Sequence, residues 1–215
     1  MKQLTAPPEE KTTEQRILDA AHTVFMARGT AGARMQDIAQ EAGVNQALLH
    51  YYFRNKERLS AAVFRRAASE LFPAAIRLLA SDATLEDKVD RVVDLYLRQL
   101  LRAPYLPGYI ISELTHRPER VRELIAALTG QTAEDASCSV LATLRRQLDE
   151  QQRTGTMRAI AAEDFMINLM SLCVFPFAAR PMLMAMFRMD KAGFEQFIER
   201  RRRELGAFFM KALRP

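Results

Sequence analysis

The stretch that decides the fold is Arg34-Met-Gln-Asp-Ile-Ala-Gln-Glu-Ala-Gly43-Val-Asn-Gln-Ala-Leu-Leu-His-Tyr-Tyr-Phe53. Met35, Ile38, Ala39 and Ala42 recur at helical spacing on one face. Gly43 follows where a left-handed turn would need a residue without a Cβ, and Val44 is an apolar plug for the underside of that turn. Asn45 is a good N-cap, and a second helix then carries Leu49, Tyr52 and Phe53 on one side. Two short helices joined by a turn of about 3–4 residues containing Gly describe a helix-turn-helix. The other side of the second helix holds Gln46, Ala47, His50 and Tyr51, side chains able to reach base edges and phosphates. Spacing alone also fits an ordinary helical hairpin, and the flanks decide between the two.

With those flanks the stretch resembles the DNA-binding domain of the TetR/AcrR family of one-component transcriptional regulators. The resemblance covers residues 12–60 and rests on Thr13, Ile17-Leu18, Ala20-Ala21, Phe25, Gly29, Ile38-Ala39, Ala42-Gly43-Val44, Tyr51-Tyr52-Phe53, Lys56-Glu57 and Leu59. It implies an all-α fold: a three-helix DNA-binding head with a helix-turn-helix on a larger helical body for effector binding and dimerisation. The domains expected are a mobile N-terminal tail over 1–11, the head over 12–60 and the body over 61–215. The DNA contacts it points to are Arg34, Gln36, Asn45, Gln46, Ala47, Leu48, His50, Tyr51, Tyr52 and Lys56. Family members often have Ser or Thr at the position of Arg34, so this chain loses a cap there and offers a charged phosphate contact instead. Lys56 matches the family's phosphate-binding lysine and opens a helix capped by Asn55, a ready phosphate site; the plainer alternative is a surface lysine.

The composition bounds the rest. The 215 residues are 49% hydrophobic and 27% charged, which suits a globular chain able to bury a core. A formal charge of +5 and a pI near 9.5 favour a polyanionic partner only weakly, and Glu41 and Glu57 lie within the reading head. Specificity must therefore come from placed contacts rather than bulk charge. Cys138 and Cys173 have no CxxC spacing and read as reduced core thiols, with a redox-sensing pair as the less favoured alternative. The N-terminus lacks the apolar core of a signal peptide, and no stretch is an uninterrupted membrane span, so a cytoplasmic protein is expected.

Taken in order, Thr12 with Gln15 forms a capping-box pattern before a first helix whose stripe is Ile17, Leu18, Ala21, Val24 and Phe25, ending at Gly29. A fourth helix runs from Lys56 through Phe64, Leu71 and Phe72 toward Leu79, interrupted at Pro73. In the family this helix joins head to body and its tilt transmits ligand binding. Thr84 starts a helix with Val89, Val92, Val93, Tyr96, Leu97, Leu100 and Leu101 apolar. Pro107-Gly108 breaks the chain before a short helix from Tyr109 to His116. Thr129-Gly130 is a further break, Thr132 with Asp135 a restart, and Thr154-Gly155 an end. Residues 160–187 are apolar almost all round and call for cover on several faces, but Pro176, Arg180 and Pro181 argue against a membrane span. The last helix, Lys191 to Leu213, offers Phe194, Phe197, Ile198, Leu205, Phe208 and Phe209. These two segments match the long final helices that form a four-helix dimer bundle in the family. Glu199–Glu204, with four arginines between, reads as a solvated helix face.

Catalytic and metal signatures are missing. His22, His50 and His116 are isolated, there is no phosphate loop or nucleophile elbow, and Glu113 with His116 is half a di-metal pattern at best. No metal, no cofactor and no enzymatic activity are expected. The resemblance implies a small, largely apolar effector in the body, and the candidates to line its pocket are Tyr96, Tyr109, Glu113, His116, Phe165, Met166, Met170 and Cys173. Each is also ordinary core material. The function expected is a ligand-responsive, sequence-specific repressor, a homodimer on a palindromic double-stranded DNA operator. The alternatives are an activator or a regulator without a diffusible ligand, and, in another class, a helical carrier or enzyme with a vestigial helix-turn-helix.

Overall fold

The computed structural model describes residues 12–71, 73–122 and 133–215, with side chains described over 12–69, 73–122 and 140–215. The expected N-terminal tail, Phe72, the break at Thr129-Gly130, the restart at Thr132 and the side chain of Cys138 lie outside these. Every regular element among the described residues is a helix. One compact unit reaches to Arg66 and a second begins at Ala67.

The first unit opens on α1 (Thr13–Gly32), whose start is a full capping box: Gln15 N–H donates to Thr12 Oγ1 and Thr12 N–H to Gln15 Oε1. Ile17, Ala20, Ala21, Val24 and Phe25 form its buried stripe. At Gly29 the backbone leaves helical geometry, with φ 68° and ψ 161° open to glycine, so the regular helix stops there as its type implies and one more turn follows to Gly32. Next come α2 (Met35–Ala42) and α3 (Gln46–Phe53), which pack on each other, and α2 also packs on α1. Then α4 (Lys56–Leu71) begins, with Asn55 Oδ1 accepting from Arg58 N–H. Ion pairs Arg28–Asp37 and Asp19–Arg66 bind α1 to α2 and to α4.

In the second unit the described residues resume at Pro73 with α5 (Pro73–Ala80); the expected interruption at Pro73 turns on Phe72, outside the described residues. Thr84 caps α6 (Leu85–Arg102), which is the axis of this unit and buries Val89, Val92, Val93, Tyr96, Leu97 and Leu100. Pro107 does not break the chain; it sits in the first turn of α7 (Leu106–His116), which therefore starts three residues before Tyr109. The remaining helices are α8 (Ala133–Arg153), α9 (Ala162–Ala178), α10 (Arg180–Met186) and α11 (Lys191–Ala212). Against α6 pack α5, α9 and α11. The approach of α11 to α6 is close at Gly206, where a Cβ would run into the carboxylate of Asp90.

The arginine run on α11 is more than a solvated face. Arg202 pairs with Asp94 on α6 and with Glu199, and Arg201 donates to the Leu172 carbonyl on α9 at 3.0 Å. Sequence periodicity also gave no hint of Lys88, which is fully buried on α6. Its Nζ donates to Leu79 O and Gln147 Oε1, both at 2.7 Å, joining the end of α5 to α8. Burial lowers its pKa from the ordinary 10.5, against a partial offset from the carboxylate of Asp82. Among the described residues no single helix is long and apolar enough to cross a membrane; α9 and α10 together have the composition but are bent by 70°.

Candidate nucleic-acid interface

The reading pair is built by its turn. Gly43 sits at φ 64° and ψ 36°, its N–H donates to Gln40 O at 3.1 Å, and Val44 N–H donates to Ala39 O at 3.0 Å. Those paired bonds close α2 in a Schellman turn and send the chain directly into α3. Asn45 then caps α3, its Oδ1 accepting from Leu48 N–H at 2.8 Å. That commits the oxygen of a residue expected to face DNA and leaves its amide NH2 as the group it can present.

Burial fixes the rotation of α3. Leu49 and Phe53 are in the core, whereas Gln46, Ala47, Leu48, His50 and Tyr51 are exposed, Tyr51 at 80%. Tyr52 was expected beside Leu49 and Phe53, yet it is 40% exposed and its ring meets Tyr51 edge-on at 5.5 Å. His50 Nδ1 lies 3.0 Å from the Arg54 carbonyl. A carbonyl can only accept, so Nδ1 carries the proton, which leaves Nε2 as the acceptor in the neutral tautomer. Gln46 and His50, one turn apart, thus offer an amide and an acceptor nitrogen, groups matched to the amino and ring-nitrogen edges of base pairs in a major groove.

Arg34 and Gln36 are exposed at the start of α2, and Arg34 makes no side-chain cap there, as its type implies. Lys56 differs from expectation. It is half-buried, and its Nζ donates to Ala31 O at 2.9 Å and Ala33 O at 3.0 Å. No local pattern announces this bond, because its two ends lie more than twenty residues apart in sequence.

The eight candidate pocket residues lie on α6, α7 and α9. Tyr96, Phe165 and Cys173 are packed in the core, with the Phe165 ring 5.1 Å from that of Phe209. Burial raises the pKa of Tyr96, with a smaller push from Cys173, and raises the Cys173 thiol to about 12. A thiol held neutral in this way is unsuited to redox sensing. Tyr109 is buried on α7; Glu113 is buried and ion-paired with Arg120. His116 is exposed and turned onto Ser112 O at 2.8 Å, so it does not join Glu113 as a ligand pair. Met166 and Met170 are half-buried. A cavity of about 240 Å3 lies elsewhere in the second unit, lined by Glu86, Gln151, Thr156, Met157, Met210, Leu213 and Arg214. Among the described residues no group of three or more His, Cys, Asp or Glu could hold a metal ion.

Comparison with known proteins agrees with this geometry. A family profile described as bacterial regulatory proteins, tetR family, matches residues 17–63, and a second, tetracyclin repressor-like C-terminal domain, matches residues 86–206. The HTH-type transcriptional repressor SCO4008 of Streptomyces coelicolor is 34% identical over 59% of this chain and 68% of its own length. The repressor Rv3405c of Mycobacterium tuberculosis is 35% identical over 55% of this chain, and the match spans only 60% of that protein. The solved structure of PfmR, a TetR-family regulator of Thermus thermophilus, shares the fold at a TM-score of 0.64 and 18% identity, over 91% of this chain and 97% of that one. One profile covers the helix-turn-helix and the other more than half of the chain, so this protein belongs to the TetR family of bacterial regulatory proteins, helix-turn-helix regulators of transcription.

Proposed function

We propose that the chain is a repressor, acting as a homodimer that reads a palindromic operator with α3 and releases it when a small apolar molecule binds the helical body. The observation that carries the reading is the division of α3: Leu49 and Phe53 are sunk in the head while Gln46, Ala47, Leu48, His50, Tyr51 and Tyr52 stand clear of it. A helix held so rigidly at its start, with its polar and aromatic face unburied, is suited to lie in a major groove. Arg34 and Gln36 at the start of α2, with the NH2 of Asn45, then take phosphates. The relatives named as repressors favour repression over activation. The head in this reading is residues 12–60 and the body 61–215.

The dimer contact is assigned to α9 and α11. Ile167 and Phe175 on α9 are 58% and 56% exposed and Phe208 on α11 is 63% exposed. Met170 and Val174, half-buried, continue the same face of α9 at helical spacing. Large apolar side chains left outward on two neighbouring helices are the mark of an interface. The effector is assigned to the region of α6, α7 and α9 that holds Tyr96, Tyr109, Phe165, Met166, Met170 and Cys173. Because several of these are close-packed, binding there favours a conformer in which the helices part, and a population shift follows. Adding apolar compounds while following both the melting temperature and operator binding tests this. A compound that raises the first and weakens the second is expected; stabilising ligands that leave operator affinity unchanged would refute induction.

A further inference from the structure

We propose that the cavity at the ends of α8 and α11 is a binding site for a small α-amino acid with an apolar side chain: Arg214 takes its carboxylate, Glu86 its ammonium, and Met157, Met210 and Leu213 its side chain. The site stands apart from the region assigned to the effector, since Glu86 precedes Tyr96 by about 15 Å along the axis of α6. The first observation is two opposite charges at one opening. Glu86 and Arg214 both line the cavity and both are exposed. Among the described residues neither forms an ion pair with the other or with any third group. A ligand carrying both charges on one carbon gives each of them a partner, whereas a singly charged one serves only one of the two.

The second observation is the rest of the lining. Met157, Met210 and Leu213 are buried, so the inner part of the cavity is apolar, and thioethers adapt to branched and straight side chains alike. Its volume of about 240 Å3 is below that of pockets for drug-sized ligands, which suits a molecule as small as an amino acid. The third is that the walls are built without a ligand. After α8 the chain turns at Gly155, φ 69°, and the N–H groups of Thr156 and Met157 donate to Gln151 O at 3.0 and 3.3 Å. Arg158 N–H then donates to Leu213 O at 2.9 Å, tying this turn to the end of α11. The side-chain amide of Gln151 makes no hydrogen bond among the described residues, which leaves its Oε1, with the Thr156 hydroxyl oxygen, as acceptors beside Glu86. The three donors of an ammonium thus have three acceptors, and the guanidinium fork matches a carboxylate.

The test is calorimetric titration of the full chain with leucine, glycine, leucinamide and N-acetylleucine, without DNA, so its result does not depend on how α3 is read. Leucine is expected to bind at millimolar concentration or below, and glycine more weakly for want of a side chain. Leucinamide, which lacks the carboxylate, and N-acetylleucine, which lacks the ammonium, should each bind about tenfold more weakly than leucine, the loss of one charge-assisted bond. Arg214→Gln should weaken leucine about tenfold and leave leucinamide unchanged, while Glu86→Gln should weaken leucine about tenfold and leave N-acetylleucine unchanged. Both replaced side chains are exposed, so the variants should melt with the wild type in the absence of ligand. Absence of any heat with leucine would overturn the site. Leucine binding that both variants retain in full would place it elsewhere in the chain and overturn the assignment, as would glycine or either analogue binding as tightly as leucine.

Discussion

Gln46 is the side chain on which base reading turns. It is exposed in the first turn of α3, whose rotation is set by Leu49 and Phe53. Gln46→Ala should cost about 1–3 kcal/mol at one base pair per half-site and relax preference there, leaving the salt slope nearly unchanged. A loss shared equally by all sequences in a library-binding assay would show that Gln46 meets the backbone instead. Lys88 allows a test of burial by pH. Folding lowers its pKa beneath the ordinary 10.5, so between the folded and unfolded values the unfolded chain keeps a proton that the folded chain has released. Stability from this group is present above pH 10.5 and lost as pH falls through the folded value. In urea melts, the unfolding free energy of the wild type relative to Lys88→Met should rise as pH approaches 10.5 from neutrality; a flat difference would mean that folding leaves this ammonium's affinity for protons unaltered. Residue types and spacings made the reading face legible, since Gly43, Asn45 and Leu49 each do in the structure what their type implies. Lys88 and the inward bonds of Lys56 were not legible, because each joins groups that only the folded chain brings together.

Among the helices, the contact of α6 with α11 is the most exacting. Gly206 brings the two together so closely that a Cβ would run into the Asp90 carboxylate and come within 3.4 Å of Asp90 Cα. The carboxylate can swing aside, and Ala gains about 1 kcal/mol over Gly within a helix, so Gly206→Ala should be nearly neutral. Gly206→Leu drives further atoms into the backbone of α6 and should cost about 1–3 kcal/mol by thermal or urea melts. Equal stability of the Leu variant would mean that the helices stand further apart than the structure places them. The outward face of α9 and α11 gives a different kind of prediction. Phe208→Glu puts a charge where a monomer already exposes the ring, so folding should survive, while dimerisation weakens by roughly 3 kcal/mol, about a hundredfold in Kd, by sedimentation. An undisturbed dimer would place the interface on other helices. Among the described residues helix identity was legible from apolar spacing and caps, as at Thr12 and Thr84. Proline was the weak point: Pro107 was read as a break, yet it stands in the first turn of α7, where the lack of an N–H carries no cost. Residue type alone does not mark a pocket, since Tyr, Phe and Met at helical spacing look the same whether they pack against protein or ligand.

At the level of the whole molecule, effector and operator must be linked reciprocally. If an apolar compound weakens operator binding by some factor, the operator must weaken the compound's binding by that same factor, measurable by titrating the compound with and without duplex. Unequal factors would show that the compound competes by some route other than the equilibrium between two conformers. The central claim is that the chain reads DNA as a symmetric pair of α3 helices, and the most direct measurement is selection of the full-length protein against a random double-stranded library. Two inverted half-sites are expected, with centres about one helical turn, 10–10.5 base pairs, or a multiple of it apart. Repeating the selection with Gln46→Ala should relax one position in each half-site and leave the spacing intact. Enrichment of no sequence, or of a single site without an inverted copy, would contradict the account.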